Sequence, residues 1–118
     1  MDIKKFIRDV PDFPKKGILF KDITPLLGNS EAFKEVIKRL SSQFKSEKVE
    51  CIAGIESRGF IIGSALALEM GVGFIPIRKP GKLPYKTVRK EYSLEYGKDA
   101  VEIHEDALRK GERVLLVD

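Results

Sequence analysis

The stretch that most limits what this chain can fold into is Cys51-Ile52-Ala53-Gly54-Ile55-Glu56-Ser57-Arg58-Gly59-Phe60. A short apolar run rich in β-branched residues reads as a strand covered on both faces. A polar Ser-Arg-Gly corner breaks it, and Phe60 to Met70 then reads as a helix. Strand, tight turn and helix start together make an anion-binding device, because the first N–H groups of a helix lack intrahelical partners. Arg58 adds a planar fork suited to phosphate oxygens. The turn is therefore a candidate phosphate or pyrophosphate site. The alternative is an ordinary βα corner with a surface arginine, which is common in α/β domains.

A chain of 118 residues makes one domain, and 42% hydrophobic with 34% charged residues provides for one core. Net charge is +4 and the isoelectric point about 9.2, a mild basicity that suits an anionic ligand without pointing to nucleic acid. Cys51 is the only cysteine, so no internal disulfide is possible; a reducing, cytoplasmic compartment and an inert buried thiol are expected. Residues 2–10 carry five charges and no signal-peptide apolar region. Gly59 to Ile77 has Glu69 as its one ionisable residue, but four glycines and Pro76 divide it, so it reads as helix, turn and strand rather than a membrane span.

In chain order, Ile3, Phe6, Ile7 and Val10 recur at helical spacing, predicting a short helix that Pro11 stops. Residues 11–17 form a proline-pinned loop, and Ile18 to Pro25 continue as extended or irregular chain. Leu19 and Phe20 there either form a flat platform for a planar ligand or plug the core. Asn29 or Ser30 can cap a helix whose buried stripe is Phe33, Val36, Ile37, Leu40 and Phe44. Val49 to Ile55 is the first central strand, 59–70 its crossover helix and Phe74 to Ile77 a parallel partner. Pro76 lacks an N–H and places that partner at an edge or strand end. Six of the thirteen residues from Arg78 to Lys90 are cationic and none is acidic. Thr87–Tyr92 and Lys98–His104 read as a hairpin with Leu94 to Gly97 at its tip, and Arg113 to Asp118 as another buried strand.

Cations thus gather after two parallel strand ends, Arg58 after one and Arg78, Lys79 and Lys82 after the next, where open α/β sheets bind ligands. Asp118 reaches the same edge, and a carboxylate with phosphate oxygens suits Mg²⁺. A solvated flap or a nucleic-acid patch is the competing reading of the basic loop; Tyr85 is its single stacking aromatic, which argues against single-strand binding. Glu95 at the tip is either a solvated surface acid or, under a closing flap, a general acid or base. His104 is assigned no role.

Five stretches resemble the adenine phosphoribosyltransferases of the type I phosphoribosyltransferase fold: Asp12-Phe13-Pro14 with Gly17 to Leu27, Ile52 to Phe60, Ile77 to Pro84, Tyr92 to Lys98, and Val114 to Asp118. They cover nearly the whole chain in order. The resemblance implies a parallel sheet flanked by helices with a hairpin flap. It implies transfer of the 5-phosphoribosyl group from phosphoribosyl pyrophosphate (PRPP) to adenine, giving AMP and pyrophosphate in purine salvage. It assigns Leu19, Phe20 and Lys21 to adenine, within an N-terminal helix and hood spanning residues 1–28. Glu56, Ser57, Arg58, Gly59, Arg78, Lys79, Lys82 and Tyr96 go to PRPP and pyrophosphate, and Glu95 to proton transfer on the purine. Residues 78–104 become the flexible loop and flap, and a cis peptide is expected at Glu56–Ser57. Mg²⁺ would arrive with PRPP, touched indirectly by Asp118. A homodimer with small-molecule substrates, and neither nucleic acid nor membrane, is the expected setting. Members continue past the position of Asp118 into a ribose-phosphate loop, so residues 1–118 would form an incomplete domain with little activity alone. Two other functions fit the same fold: a non-catalytic sensor of PRPP or purine, and a guanine or xanthine transferase.

Overall fold

The computed structural model describes residues 1–118, which separate into two compact units, Met1–Ser42 and Gln43–Asp118. In the first unit the expected helix over residues 3–10 does not form. Ile3–Phe6 makes one 3-10 turn, with Asp2 Oδ1 accepting the Lys4 N–H at 3.1 Å, and the chain then extends as β1 (Arg8–Pro11). The reason lies in Pro11, which pushes Val10 before it toward extended geometry. Strand β2 (Leu19–Asp22) then offers backbone partners that a helix would forgo. The two strands pair antiparallel from Arg8↔Asp22 to Pro11↔Leu19. A short helix α1 (Thr24–Leu27) follows, with Pro25 in its first turn where the missing N–H costs nothing. Helix α2 spans Ser30–Gln43, and of the two candidate caps it is Asn29 that serves, its Oδ1 accepting the Ala32 N–H at 3.0 Å. Ala32 and Ile37 are its buried residues, while Phe33, Val36 and Leu40 of the anticipated stripe are half-buried.

The second unit is an α/β layer. Strand β3 (Cys51–Ile55) lies between β4 (Gly73–Ile77) and β7 (Val114–Val117), parallel to both. Pro76 sits on the edge strand β4, as its missing donor requires. Helix α3 (Arg58–Met70) packs on this sheet, and Ile52 with Leu66 forms the fully buried centre. Strand β7, read as buried, is buried on one face only. Leu115 and Val117 are half-buried, whereas Val114 and Leu116 are 38% and 60% exposed on the alternate face of an edge strand. The register aligns Ile55 with Ile77 and Gly54 with Val117, so Glu56, Arg78 and Asp118 leave the sheet at the same carboxyl edge.

Strands β5 (Thr87–Leu94) and β6 (Gly97–His104) form an antiparallel hairpin whose two-residue turn is Glu95–Tyr96. Its root is tied to the loop after β4. The Arg78 N–H donates to the Glu102 carbonyl at 3.0 Å and the Glu102 N–H returns to Arg78 at 2.7 Å. No helix is long and apolar enough to cross a membrane.

Candidate functional site

The turn after β3 is shaped by two close backbone approaches. A Cβ on Gly54 would lie 2.6 Å from Phe74 Cε1 and collide with the Gly59 carbonyl oxygen. One on Gly59 would collide with the carbonyl oxygen of Val117 in β7. Only glycine lets the start of α3 come down onto the ends of β3 and β7. The Glu56–Ser57 peptide is cis, as the resemblance implied. Ser57 makes no side-chain bond to the first turn of α3, so the open helix N–H groups are not capped from within. Arg58 stands beside them, exposed, with Nη2 3.8 Å from Asp118 Oδ1. A positive helix end, an accessible guanidinium and a strand-end carboxylate therefore share one edge.

The basic loop is less bare than its sequence reads. Glu56 turns its carboxylate into the loop: Oε1 accepts the Lys79 backbone N–H at 2.5 Å, and Oε2 lies 3.5 Å from Arg78 Nη2. The Lys79 amide, more than the neighbouring Arg78 and Lys82 charges, holds the Glu56 carboxyl below its ordinary value. Arg78 also lies over the Phe60 ring, 5.8 Å from its centroid, and its Nε is a buried donor without a partner. Lys79 Nζ is held by the Asp99 carboxylate and by the Tyr92 hydroxyl at 2.9 Å, and sits 5.6 Å from the Tyr92 ring centroid. Lys79 and Asp99 hold each other ionised: the ammonium is pushed above its ordinary value and the carboxyl below, each mainly by their mutual hydrogen bond. The Gly81 N–H donates to Glu102 Oε1 at 3.0 Å.

Glu95 and Tyr96 occupy the hairpin tip, both exposed, Tyr96 to 85%. In the N-terminal unit, alternation along β2 sends neighbouring side chains to opposite faces. Phe20 lines an open cavity of about 270 Å³ with Val10, Phe13 and Asp22, and meets Phe13 edge-on at 5.1 Å. Lys21 lies on the other face, its Nζ 2.6 Å from Asp9 Oδ1. Leu19, Phe20 and Lys21 thus do not present side chains to one pocket; what they share is a contiguous stretch of backbone. Asp22 closes this segment by accepting the Thr24 N–H at 2.9 Å and hydroxyl at 2.7 Å, with Arg8 Nη2 at 2.9 Å. Those Thr24 bonds, the backbone one foremost, lower the Asp22 carboxyl.

No family model matches the sequence. The adenine phosphoribosyltransferase of Brachyspira hyodysenteriae, however, is 60% identical over all 118 residues, which span 69% of that protein. The chain belongs to the adenine phosphoribosyltransferase family. The family's solved structures agree with the fold. The Thermoanaerobacter pseudethanolicus enzyme superposes at a TM-score of 0.95 with 54% identity, covering 99% of this chain and 68% of that one. The Saccharomyces cerevisiae enzyme, solved with adenine and an imino-altritol bisphosphate, gives 0.92 at 41% identity over 99% and 69%. Relative to the family pattern read in the sequence, the structure adds Val10, Phe13 and Asp22 around Phe20, and Tyr92, Asp99 and Glu102 around the basic loop. The last three were discoverable in principle. Counting back from a two-residue turn at Glu95–Tyr96 puts Tyr92 opposite Asp99.

Proposed function

We propose that this chain carries the machinery for moving the 5-phosphoribosyl group of PRPP onto adenine, with AMP and pyrophosphate as products. The observation that carries the reading is the uncapped start of α3 beside Arg58, at the strand edge where Asp118 also emerges. The family membership supports the adenine and PRPP assignments.

In this reading the N–H groups of Ser57, Arg58 and Gly59, with the Arg58 guanidinium, take the diphosphate oxygens. Lys82 and the Arg78 guanidinium add positive charge as negative charge grows on the leaving group. Glu56 serves by fixing the loop rather than by touching the anion, since its oxygens are already engaged. Phe20 stacks on the purine within its cavity, and the backbone of Leu19 to Lys21 reads the purine edge. Glu95 exchanges a proton with the imidazole ring of the base, and Tyr96 closes the tip over the sugar to exclude water. No cluster of three or more His, Cys, Asp or Glu side chains could cage a metal. Asp118, exposed at the strand edge beside Arg58, is the carboxylate that would help hold an Mg²⁺ brought in with the phosphates. When bound, that ion supplies charge stabilisation for the departing diphosphate.

A homodimer belongs to the same reading. It is supported by Ile61 and Leu68, 44% and 85% exposed one above the other along α3. So does a reducing cytoplasmic setting, supported by the buried lone thiol of Cys51. The test is isothermal titration with PRPP and Mg²⁺ and with AMP, paired with pyrophosphate release using adenine, guanine, hypoxanthine or xanthine. It is run on this chain and on a version extended at its carboxyl end to the length of its relatives. Adenine-dependent release by the extended version, with little by this chain alone, is the expected result. Release with guanine or xanthine alone would overturn the specificity, and PRPP binding without turnover by either protein would favour a sensor.

A further inference from the structure

The Lys79 ammonium does not stand ready for an incoming anion. Its backbone N–H is fixed to Glu56 of the diphosphate turn, while its Nζ crosses to the hairpin and meets Asp99 and Tyr92, a cross-strand pair. One residue therefore spans the two parts of the site, anchored at the turn by its amide and at the flap by its charge. An ammonium already paired with a carboxylate offers little net field, so a diphosphate must compete with Asp99 for it.

We propose that Asp99, seconded by Tyr92, is a latch on Lys79: it holds the β5–β6 hairpin to the loop after β4, and diphosphate bound at the Glu56–Gly59 turn draws Lys79 away and frees the hairpin to move. Asp99 and Tyr92 are positioning residues in this scheme, acting through Lys79 and touching no substrate. The latch rests on the diphosphate reading of the turn. Two features favour a movable contact over a fixed structural one. The side chains of Lys79 and Asp99 are 44% and 32% exposed, so their separation is not opposed by a packed core. The hairpin also retains a separate tether, the backbone pair of Arg78 and Glu102, so releasing Lys79 loosens the hairpin without detaching it.

The test measures inorganic pyrophosphate affinity by titration calorimetry and hydrogen exchange of residues 87–104, in the wild type, Asp99→Asn, Lys79→Met and the double variant. Asp99→Asn should bind pyrophosphate tighter by roughly two- to fivefold, the worth of a partly exposed ion pair. Its hairpin should exchange faster without ligand, and pyrophosphate should accelerate hairpin exchange in the wild type but not in this variant. Lys79→Met should abolish the effect, so that the double variant binds as Lys79→Met does; a merely structural Asp99 would not show that dependence. Weaker or unchanged binding by Asp99→Asn, or an effect that persists without Lys79, overturns the latch while leaving the diphosphate site intact. If no variant, wild type included, binds pyrophosphate, the site reading fails and the latch with it.

Discussion

Replacing Gly59 with alanine tests the packing that builds the turn after β3. The added Cβ would meet three backbone atoms: the Val117 carbonyl oxygen at a distance no side chain tolerates, the Val117 carbonyl carbon at 3.2 Å and Asp118 Cα at 3.3 Å. A backbone neighbour cannot rotate away, so either α3 or the end of β7 must shift. Forced overpacking of this kind costs about 1–3 kcal/mol. Alanine's better helix propensity returns at most about 1 kcal/mol, and less in a first turn. A net loss of about 1–2 kcal/mol follows, or a fall in Tm of roughly 5–10 °C for a domain of this size. Gly73→Ala is the control, since nothing lies within 4 Å of its Cβ. Urea unfolding followed by far-UV circular dichroism compares the two. Equal stability of Gly59→Ala and Gly73→Ala, within about 0.5 kcal/mol, would refute the close approach of α3 to β7. Because Asp118 follows Val117 directly, the same shift should also disturb the Arg58–Asp118 pair and weaken pyrophosphate binding.

Acid should weaken the contacts of three carboxylates. Glu56, Asp99 and Asp22 all titrate below their ordinary values, so their contributions are complete above the ordinary carboxylate range and fade as pH falls through their lowered values. Stability measured from about pH 7 down to about pH 2 should stay level and then drop, with Glu56→Gln giving a shallower acid limb; an unchanged limb would count against the Glu56 contacts. Lys79 has the opposite sign: its contribution is complete below the ordinary value of 10.5 and fades only as pH rises past that. Cys51 is 4% exposed and its thiol is pushed up, first by burial, so it should resist a thiol reagent in the folded protein and react on unfolding. Phe20→Ala should cost about 1 kcal/mol or more of stability as its edge-on contact with Phe13 is lost, and weaken AMP binding by roughly tenfold or more as stacking is lost; undiminished affinity by titration would move the purine elsewhere.

The readings that succeeded from sequence were those whose cause is local. The β-branched run ending at Glu56 and the Leu94-Glu95-Tyr96-Gly97 turn announce themselves within a few residues. So does the missing donor of Pro76 on an edge strand. The reading of residues 3–10 failed where a helical spacing competed with a strand partner that arrives only at Leu19. Helical periodicity records a possible apolar face but not whether another backbone will bid for the same N–H groups. The exposed face of β7 was likewise invisible, since an apolar run does not say how many of its faces are covered.

By itself the sequence determined the make-up of the candidate site: a strand, a Glu-Ser-Arg-Gly corner and a helix start, followed by a cluster of cations and a strand-end acid. Tertiary structure alone decided what those charges do. Lys79 and Asp99 are 20 residues apart, and Glu56 and the Lys79 amide 23. They meet because β3 and β4 end in register and because the hairpin folds back to bridge Arg78 with Glu102. Charge is written residue by residue, whereas partnership depends on which chain segments the sheet brings side by side. A loop that reads as six unopposed cations is therefore, once folded, one in which Arg78 and Lys79 are already engaged by Glu56 and Asp99.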